Sequence, residues 1–440
     1  MILSKIKDGC AVGFYGLGRS NLALISCLPL EKCRITLRSD RKIDQNDIPR
    51  GVNIERILLG EDAVRDISEE VLFFSPSVRR DRAEFAEAKE RGVFFSSDAE
   101  LFFEEVNTPV YAITGSDGKS TTAALTQLLL KASGKHARLI GNIGEPMVKN
   151  LTSDVECYVV ELSSFMLEYM APRSKSACIT NLTPNHLDWH ESFEKYRKSK
   201  LNVTKTAERI VIFDDLSDIV KAQRIVSTSR DYRTLKQNFA AESFFTVESG
   251  YICRNGEKLL RLDEIKRREE HDIKNLMMAI AMTDGDVRRD AIGRVAGEFS
   301  GLPHRCEVVL SKGGVDFIDS SIDSTPARTA QTLRSLDRSV VIILGGRGKG
   351  LDYRSLLPEI KKYVRRAIIV GENAREIYGI VENCVRAEIV GSFDEAVIRG
   401  AELARSVGTL LLSPASTSFD LFKNYEERGD KFREIISKIY

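Results

Sequence analysis

Short apolar runs rich in β-branched residues recur along the chain, separated by longer stretches whose apolar positions follow helical spacing. The runs are "CAVGFYG", "VLFFSP", "PVYAITG", "CYVVEL", "ACITNL", "RIVIFD", "VDFIDS", "VVIILGG", "AIIVGE" and "TLLLSP". Strands that are continuously apolar are buried on both faces, and their alternation with helices predicts largely parallel sheets covered on both sides. The expected class is therefore α/β throughout. Several runs end in Gly, Ser, Thr, Asn or Asp, where the C-terminal edge of an open sheet offers loops and helix N-termini to ligands.

Two polar or Pro/Gly breaks, "FFEEVNTP" and "GEFSGLPHR", interrupt the series. They divide the 440 residues into 1–105, 106–301 and 302–440, within the two to four domains of about 100–200 residues that the length favours. No internal repeat or low-complexity tract is evident. The charged stretch "DEIKRREEHD" is expected to form a solvated face.

Composition narrows the partners. Hydrophobic residues make up 42% and charged residues 29%, and the net charge of +1 provides no bulk attraction to nucleic acid or an anionic membrane. No apolar stretch approaches the roughly 20 residues of a membrane span, and the start "MILSKIKDGC" lacks a signal-peptide core, so a cytoplasmic protein is expected. The charge balance neither demands nor excludes a dimer; a monomer is the working expectation. Eight scattered cysteines (Cys10, Cys27, Cys33, Cys157, Cys178, Cys253, Cys306, Cys384) form no C-x-x-C pair, which predicts mostly buried, reduced thiols.

The run "VYAIT" leads into Gly115-Ser116-Asp117-Gly118-Lys119-Ser120-Thr121 and then the helical pattern "TAALTQLLLKA". Glycines let backbone N–H groups face phosphate oxygens, and the helix N-terminus adds positive potential. Lys119 can bridge β- and γ-phosphates and Ser120 can ligate Mg²⁺. The loop departs from G-x-x-x-x-G-K-[ST] in having Ile113 at the first glycine position. Downstream, Glu161 ends the apolar run of "YVVELSSF", where a carboxylate needs a partner such as a metal. The following "ITNLTPNHLDWH" carries His186, Asp188 and His190, readable either as a zinc cluster or as a polar loop beside an ATP–Mg²⁺ site.

An earlier glycine turn, "GFYGLGRS", has G-x-x-G-x-G spacing and suits the diphosphate of a nucleotide ligand, a dinucleotide such as NAD included. Gly16, Leu17, Gly18, Arg19 and Ser20 form it. Asp40, after "CRITLRSD", is placed to reach a ribose or base.

The ordered series "GSDGKST", "GNIGEP", "ELSSFMLE", "NLTPNHLDWH", "YRKSK", "HDIKN", "GLPHR", "GGRGKG" and "SPASTSFDLFKNYEERGDKF" resembles the Mur ligases, especially those adding glutamate to UDP-N-acetylmuramoyl-L-alanine. The resemblance runs from about residue 12 to the C-terminus. It implies an N-terminal Rossmann-like domain for the UDP-substrate, a central P-loop ATPase-like parallel sheet for ATP, and a C-terminal Rossmann-like domain for the amino acid. The implied reaction is an ATP-dependent amide ligation through an acyl phosphate, with two Mg²⁺ ions and domain closure to exclude water.

Residue by residue, the resemblance gives Lys119, His186, Lys200 and Lys349 as catalytic, and Ser120, Glu161, His186 and a carbamylated Lys200 as metal ligands. ATP falls to the Gly115–Thr121 loop, Asn275, Arg305 beside His304, and Asp319 or Ser320. The first glycine turn, Asp40, Ser75, Asn142 and Ser163 face the UDP-substrate, while Ser418, Phe419 and Tyr425 receive glutamate. Three departures stand out: Asp272 replaces a second asparagine before Asn275, Ser75 lies in "SPSV" rather than S-P-G, and "DSSIDST" has Ile322 where a lysine is expected near glutamate. That loss leaves D-glutamate, L-glutamate or another amino acid open, along with a folylpolyglutamate synthase-like ligase or a nucleotide-dependent binding protein without catalysis.

Overall fold

The computed structural model describes residues 3–40, 42–43, 48, 52–151, 154–213, 216, 224–226, 243–348 and 350–440. They form two compact units, 1–300 and 301–440, with three sheets between them. The first unit holds two sheets and the second unit one.

The first sheet contains β1 (Ala11–Tyr15), β2 (Arg34–Ser39), β3 (Ile54–Leu59), β4 (Val71–Phe74) and β5 (Phe94–Ser96). All pairings are parallel and the order is β3-β2-β1-β4-β5. The order reverses between β1 and β4, so a crevice opens beyond their C-terminal ends. Gly16 follows β1 at this point and Ser75 follows β4.

The second sheet contains β6 (Val110–Thr114), β7 (Ala137–Gly141), β8 (Cys157–Glu161), β9 (Ser176–Ile179), β10 (Ile210–Phe213), β11 (Arg224–Val226), β12 (Ser243–Glu248), β13 (Tyr251–Arg254) and β14 (Glu257–Arg261), in the order β14-β13-β12-β11-β10-β9-β6-β8-β7. From β7 to β12 it is parallel. Helices Lys119–Ala132 and Glu270–Met282 cover one face, contributing Leu125, Leu129, Leu276 and Met277 to one core. Helix Asp98–Glu105 stands between the two sheets: Phe102 packs into the second sheet's other core and Leu101 into the first sheet's. Burying Phe102 completely contributes about 1.5–3 kcal/mol.

In the second unit, β15 (Glu307–Lys312), β16 (Val315–Asp319), β17 (Val340–Leu344), β18 (Val364–Ile369), β19 (Arg386–Ile389) and β20 (Thr409–Leu412) pair in the order β15-β16-β20-β17-β18-β19. Only β15–β16 is antiparallel.

All ten apolar runs singled out in the sequence form strands. The hairpins β12–β13, β13–β14 and β15–β16 add antiparallel edges to the parallel arrangement. Each turns through two residues of positive φ: Ser249-Gly250, Asn255-Gly256 and Gly313-Gly314. That backbone matches the twist of paired strands, and Asn-Gly and Gly-Gly are its usual sequences. The stretch "DEIKRREEHD" is largely exposed, but Ile265 and Asp272 are buried, with Asp272 paired to Arg267 at 3.0 Å. Five of the eight cysteines are buried, and all eight are free thiols.

Candidate active site

The first glycine turn is held by hydrogen bonds to its backbone and leaves little room for a side chain. Gly16 has φ +78°, and a Cβ there would stand 3.1 Å from Ser75 Cβ. Its N–H donates to the Arg38 carbonyl, and its own carbonyl accepts from Ser75 Oγ at 2.7 Å and from the buried Asn21 amide at 2.7 Å. Ser75 therefore closes the turn from the neighbouring strand. Gly18 then caps helix Arg19–Cys27 without a side-chain cap, so the helix's first backbone N–H groups have no partner within the helix.

Arg19 and Asp40 are both engaged within the protein. The Arg19 guanidinium donates to the carbonyls of Gly141 (3.0 Å), Asn142 (3.1 Å) and Gly144 (3.1 Å). The Asp40 carboxylate accepts both terminal nitrogens of Arg82, at 2.8 and 2.9 Å, and the Tyr15 hydroxyl at 2.7 Å. Sequence reasoning missed Arg82 and Tyr15. Nothing in "SVRRDRAEF" marks the third arginine as Asp40's partner.

At the second turn, Gly115 and Gly118 have φ of +145° and +77°. A Cβ at Gly115 would fall 1.9 Å from Thr180 Oγ1, and one at Gly118 would fall 2.3 Å from Asn275 Oδ1. The loop rests on the "NLTPN" segment. Ser116 N–H donates to the Asn181 carbonyl (3.0 Å), Asp117 N–H to Asn181 Oδ1 (2.9 Å), and Ser116 Oγ exchanges bonds with the Thr183 backbone at 2.9 Å. Lys119 Nζ donates to the Ser116 carbonyl at 2.6 Å, and Ser120 lies buried in the first helical turn beside Thr121. Asn275 accepts from Thr122 Oγ1 at 3.3 Å, placing it against this helix.

Glu161 ends β8 beside the second turn and is 1% exposed. One carboxylate oxygen accepts the Asn142 amide at 2.6 Å, and the other, also buried, has no hydrogen-bond partner. An unsatisfied buried carboxylate oxygen is costly without a cation, so this residue fits a divalent metal. Lys200 is 2% exposed on helix Phe193–Leu201, lies over the Tyr196 ring, and donates to Thr114 Oγ1 at 3.2 Å. Burial, reinforced by Lys119, holds its amine well below the usual lysine range. A neutral amine is the form that can add CO₂ to become an anionic carbamate.

His186 is exposed at positive φ, opens the one-turn helix Leu187–His190, and its ring lies 4.9 Å from that of Phe165. His190 is buried, bonded to Ser164 Oγ at 2.9 Å, and pushed down to about 4 by burial and by the charges of His186 and Lys200. Among the described residues, His186, Asp188, His190 and Glu161 belong to no set of three His, Cys, Asp or Glu side chains with ligand atoms within 4.8 Å. His186, Asp188 and His190 are thus not gathered into a three-ligand cluster among the described residues. Ser163 caps the short helix Ser164–Leu167 through its hydroxyl.

In the second unit, the C-terminal ends of β16 and β20 carry the remaining candidates. Asp319 is buried and bonded to His304 Nδ1 at 2.7 Å and to Ser321 N–H at 2.8 Å, while Ser320 Oγ accepts from Cys306 N–H. Arg305 is exposed. Ser418 is buried, Phe419 is 59% exposed, and the Tyr425 carbonyl accepts from Ser321 Oγ. Lys349 lies outside the described residues. Arg428 was missed: its buried guanidinium reaches Ser321 Oγ (2.9 Å), the Ser321 carbonyl (2.8 Å) and the Ser416 carbonyl (3.1 Å).

Comparison with known proteins bears on the whole chain. Residues 113–283 match the Mur ligase middle domain, and residues 304–416 match the Mur ligase glutamate ligase domain. The UDP-N-acetylmuramoylalanine–D-glutamate ligase of Clostridium tetani is 32% identical, with 97% of this chain and 96% of the relative aligned. The enzyme of the same name from Acetivibrio thermocellus is 33% identical over 99% and 97%. Among solved structures, UDP-N-acetylmuramate-alanine ligase from Thermotoga maritima shares the fold with a TM-score of 0.55 at 17% identity, covering 98% of this chain and 100% of that one. A pseudomurein peptide ligase type C from Methanothermus fervidus matches with a TM-score of 0.52 at 16% identity over the same shares.

Proposed function

Because the chain belongs to the Mur ligase family, we propose that it joins D-glutamate to UDP-N-acetylmuramoyl-L-alanine at the expense of ATP, in the synthesis of peptidoglycan precursors. The observation that carries this reading is the presence, in one compact unit, of two glycine turns at the C-terminal edges of two parallel sheets. Two phosphate-bearing ligands, the UDP-linked acceptor and ATP, account for both turns.

A carboxylate is a poor electrophile, so the alanyl carboxylate must first be activated. One of its oxygens attacks the γ-phosphorus in line and ADP leaves; the amine nitrogen of glutamate then attacks the acyl carbon, phosphate leaves, and the amine proton passes to phosphate or solvent. Ser120 and Glu161, with His186 and a carbamylated Lys200, would hold two Mg²⁺ ions, which when bound would neutralise charge at the transferring group. The backbone of Gly115–Ser120 cradles the phosphates, and Lys119 leaves the Ser116 carbonyl to offset γ-phosphoryl charge. Asn275 orients the adenine side. Gly16, Leu17, Gly18 and Ser20 seat the diphosphate, while Ser75 shapes their turn and Asp40 addresses the ribose or uracil.

In the second unit, Ser418, Phe419 and Tyr425 receive glutamate, Lys349 attends the reaction, and Arg305 with Asp319 or Ser320 serves nucleotide recognition. The N-terminal sheet, the central sheet and the C-terminal sheet are thus assigned to acceptor, ATP and amino acid. We place the reaction in the cytoplasm, with the monomer as the working unit.

The test is phosphate release from Mg-ATP and UDP-N-acetylmuramoyl-L-alanine with D-glutamate or L-glutamate in separate reactions. Release with D-glutamate alone supports the reading. Preference for L-glutamate would mean that Ile322 marks a changed amino-acid site, and no release with either would reject the assignment.

A further inference from the structure

The guanidinium of Arg19 lies on the loop that positions Glu161. Arg19 is the first residue of the helix that follows the Gly16–Gly18 turn, so its backbone is fixed wherever that turn is fixed. Its side chain converges on the carbonyls of Gly141, Asn142 and Gly144, at 3.0–3.1 Å, in the loop after β7. Three carbonyls aimed at one point repel one another, and the cation is what holds them there. The loop has little other freedom: Gly141 has φ +110° with the Glu161 carbonyl 2.4 Å from where a Cβ would stand, and Gly144 has φ +75° with the Leu139 carbonyl at 2.6 Å. From this clamped loop Asn142 contacts Glu161 twice, through its N–H to the Glu161 carbonyl (2.9 Å) and its amide to the carboxylate (2.6 Å). That second contact sets the direction of the buried oxygen that lacks a partner.

We propose that Arg19 is a positioning residue that couples the two glycine turns, so that a diphosphate seated on the first turn tightens binding of a divalent cation at Glu161. The proposal rests on the functional reading above for the identity of the two ligands. The physical sequence is short. A diphosphate on the N–H groups of the turn immobilises the start of the helix, and Arg19 then holds the 141–144 loop in one arrangement. Asn142 keeps the Glu161 carboxylate turned toward the cation. Reciprocity follows, because a coupling free energy is the same in both directions.

Mn²⁺ affinity would be measured by electron paramagnetic resonance on the full-length protein with a non-hydrolysable ATP analogue, with and without saturating UDP. UDP is the probe because it lacks the N-acetylmuramoyl sugar and the alanyl carboxylate; its own diphosphate chelates Mn²⁺, so free Mn²⁺ is buffered to the same level in both arms. The expected result is Mn²⁺ binding about fivefold or more tighter with UDP in the wild type, and a ratio near one in R19A and in N142A. UDP affinity in the absence of Mn²⁺ is measured in R19A as well, and the Mn²⁺ ratio is read at a UDP concentration that saturates each variant. A wild-type ratio of one, or a ratio that survives in both variants, overturns the proposal. Loss of UDP binding in R19A with unchanged Mn²⁺ affinity also overturns it, and makes Arg19 a diphosphate ligand instead. If the wild type bound neither UDP nor the ATP analogue, the functional reading would fall and the coupling with it; binding of both without coupling would count against the coupling alone.

Discussion

Lys200 Nζ donates to Thr114 Oγ1 at 3.2 Å, and Thr114 Oγ1 in turn donates to the Leu162 carbonyl at 2.8 Å. A buried lysine is thereby aimed at the end of β6, immediately before the second glycine turn. As an ammonium it would stand in low dielectric near Lys119; as a carbamate it would carry the opposite charge. We expect ¹³CO₂ to give the wild-type protein a carbamate carbon resonance that is absent from K200A. K200A should lose at least about a hundredfold in activity, the scale of one electrostatic group at a transferring centre, and short carboxylic acids should restore part of it. Full activity in K200A would remove the residue from the site.

The glycines of this site differ in what confines them, and that difference predicts a ranking. A Cβ at Gly118 would meet the end of the Asn275 side chain, which can rotate away, so G118A should cost about 1–2 kcal/mol of stability from positive φ. A Cβ at Gly141 would meet the Glu161 backbone carbonyl at 2.4 Å, which cannot move without breaking β7–β8 pairing. G141A should therefore lower the melting temperature more than G118A. G118A should in turn weaken the ATP analogue more than UDP. Equal melting temperatures would show that the β8 backbone yields.

Much of this was legible in the chain because its causes are local. A continuous apolar run such as "VVIIL" reads directly as a doubly covered strand, and glycines beside a lysine at a strand end read as a tight turn that opens a helix. Long-range partners were not legible. The sequence points Asp40 at a ribose or base but gives no sign of its protein partner Arg82, 42 residues away, because sheet order rather than sequence brings the two together. Arg428 stands in "NYEERGDKF", where helical spacing and high charge suggest a solvated face, and it is 2% exposed. The antiparallel edges had a readable signal, "RNGE" and "KGGV" between strand-like segments, but weak apolar flanks masked it.

Asp98 gives a pH dependence with a definite sign. Its carboxylate accepts the N–H groups of Val148 (2.7 Å) and Met147 (3.2 Å), but burial outweighs them and raises its pKa from 3.8 to about 6. A carboxyl whose pKa is higher folded than unfolded contributes stability below the unfolded value and loses it as pH rises through the folded value. Between about pH 4 and 6, wild type should therefore lose about 3 kcal/mol relative to D98N, and the difference should flatten above pH 6. Denaturant unfolding of both proteins at pH 4, 5, 6 and 7.5 measures it. A difference that grows in favour of wild type with rising pH would mean that the two backbone bonds dominate.

Arg428 joins the two segments assigned to the second unit's ligands. Its Nε and one terminal nitrogen bind Ser321, that same terminal nitrogen also reaches the Ser416 carbonyl, and the other terminal nitrogen, buried, has no hydrogen-bond partner. Burial pushes the guanidinium down to about 10, with Asp420 the leading charge opposing that shift, so it stays cationic at neutral pH. Replacement by methionine keeps much of the volume but leaves two buried carbonyls without donors, at about 1–3 kcal/mol each. R428M should therefore lose about 3 kcal/mol or more. R428K can satisfy one carbonyl but not the fork, and should fall between the two. Because Ser416 lies two residues before Ser418, R428K should raise the KM for glutamate by a larger factor than the KM for ATP. Equal changes in both constants would show that Arg428 supports the fold of the second unit without setting the amino-acid loop.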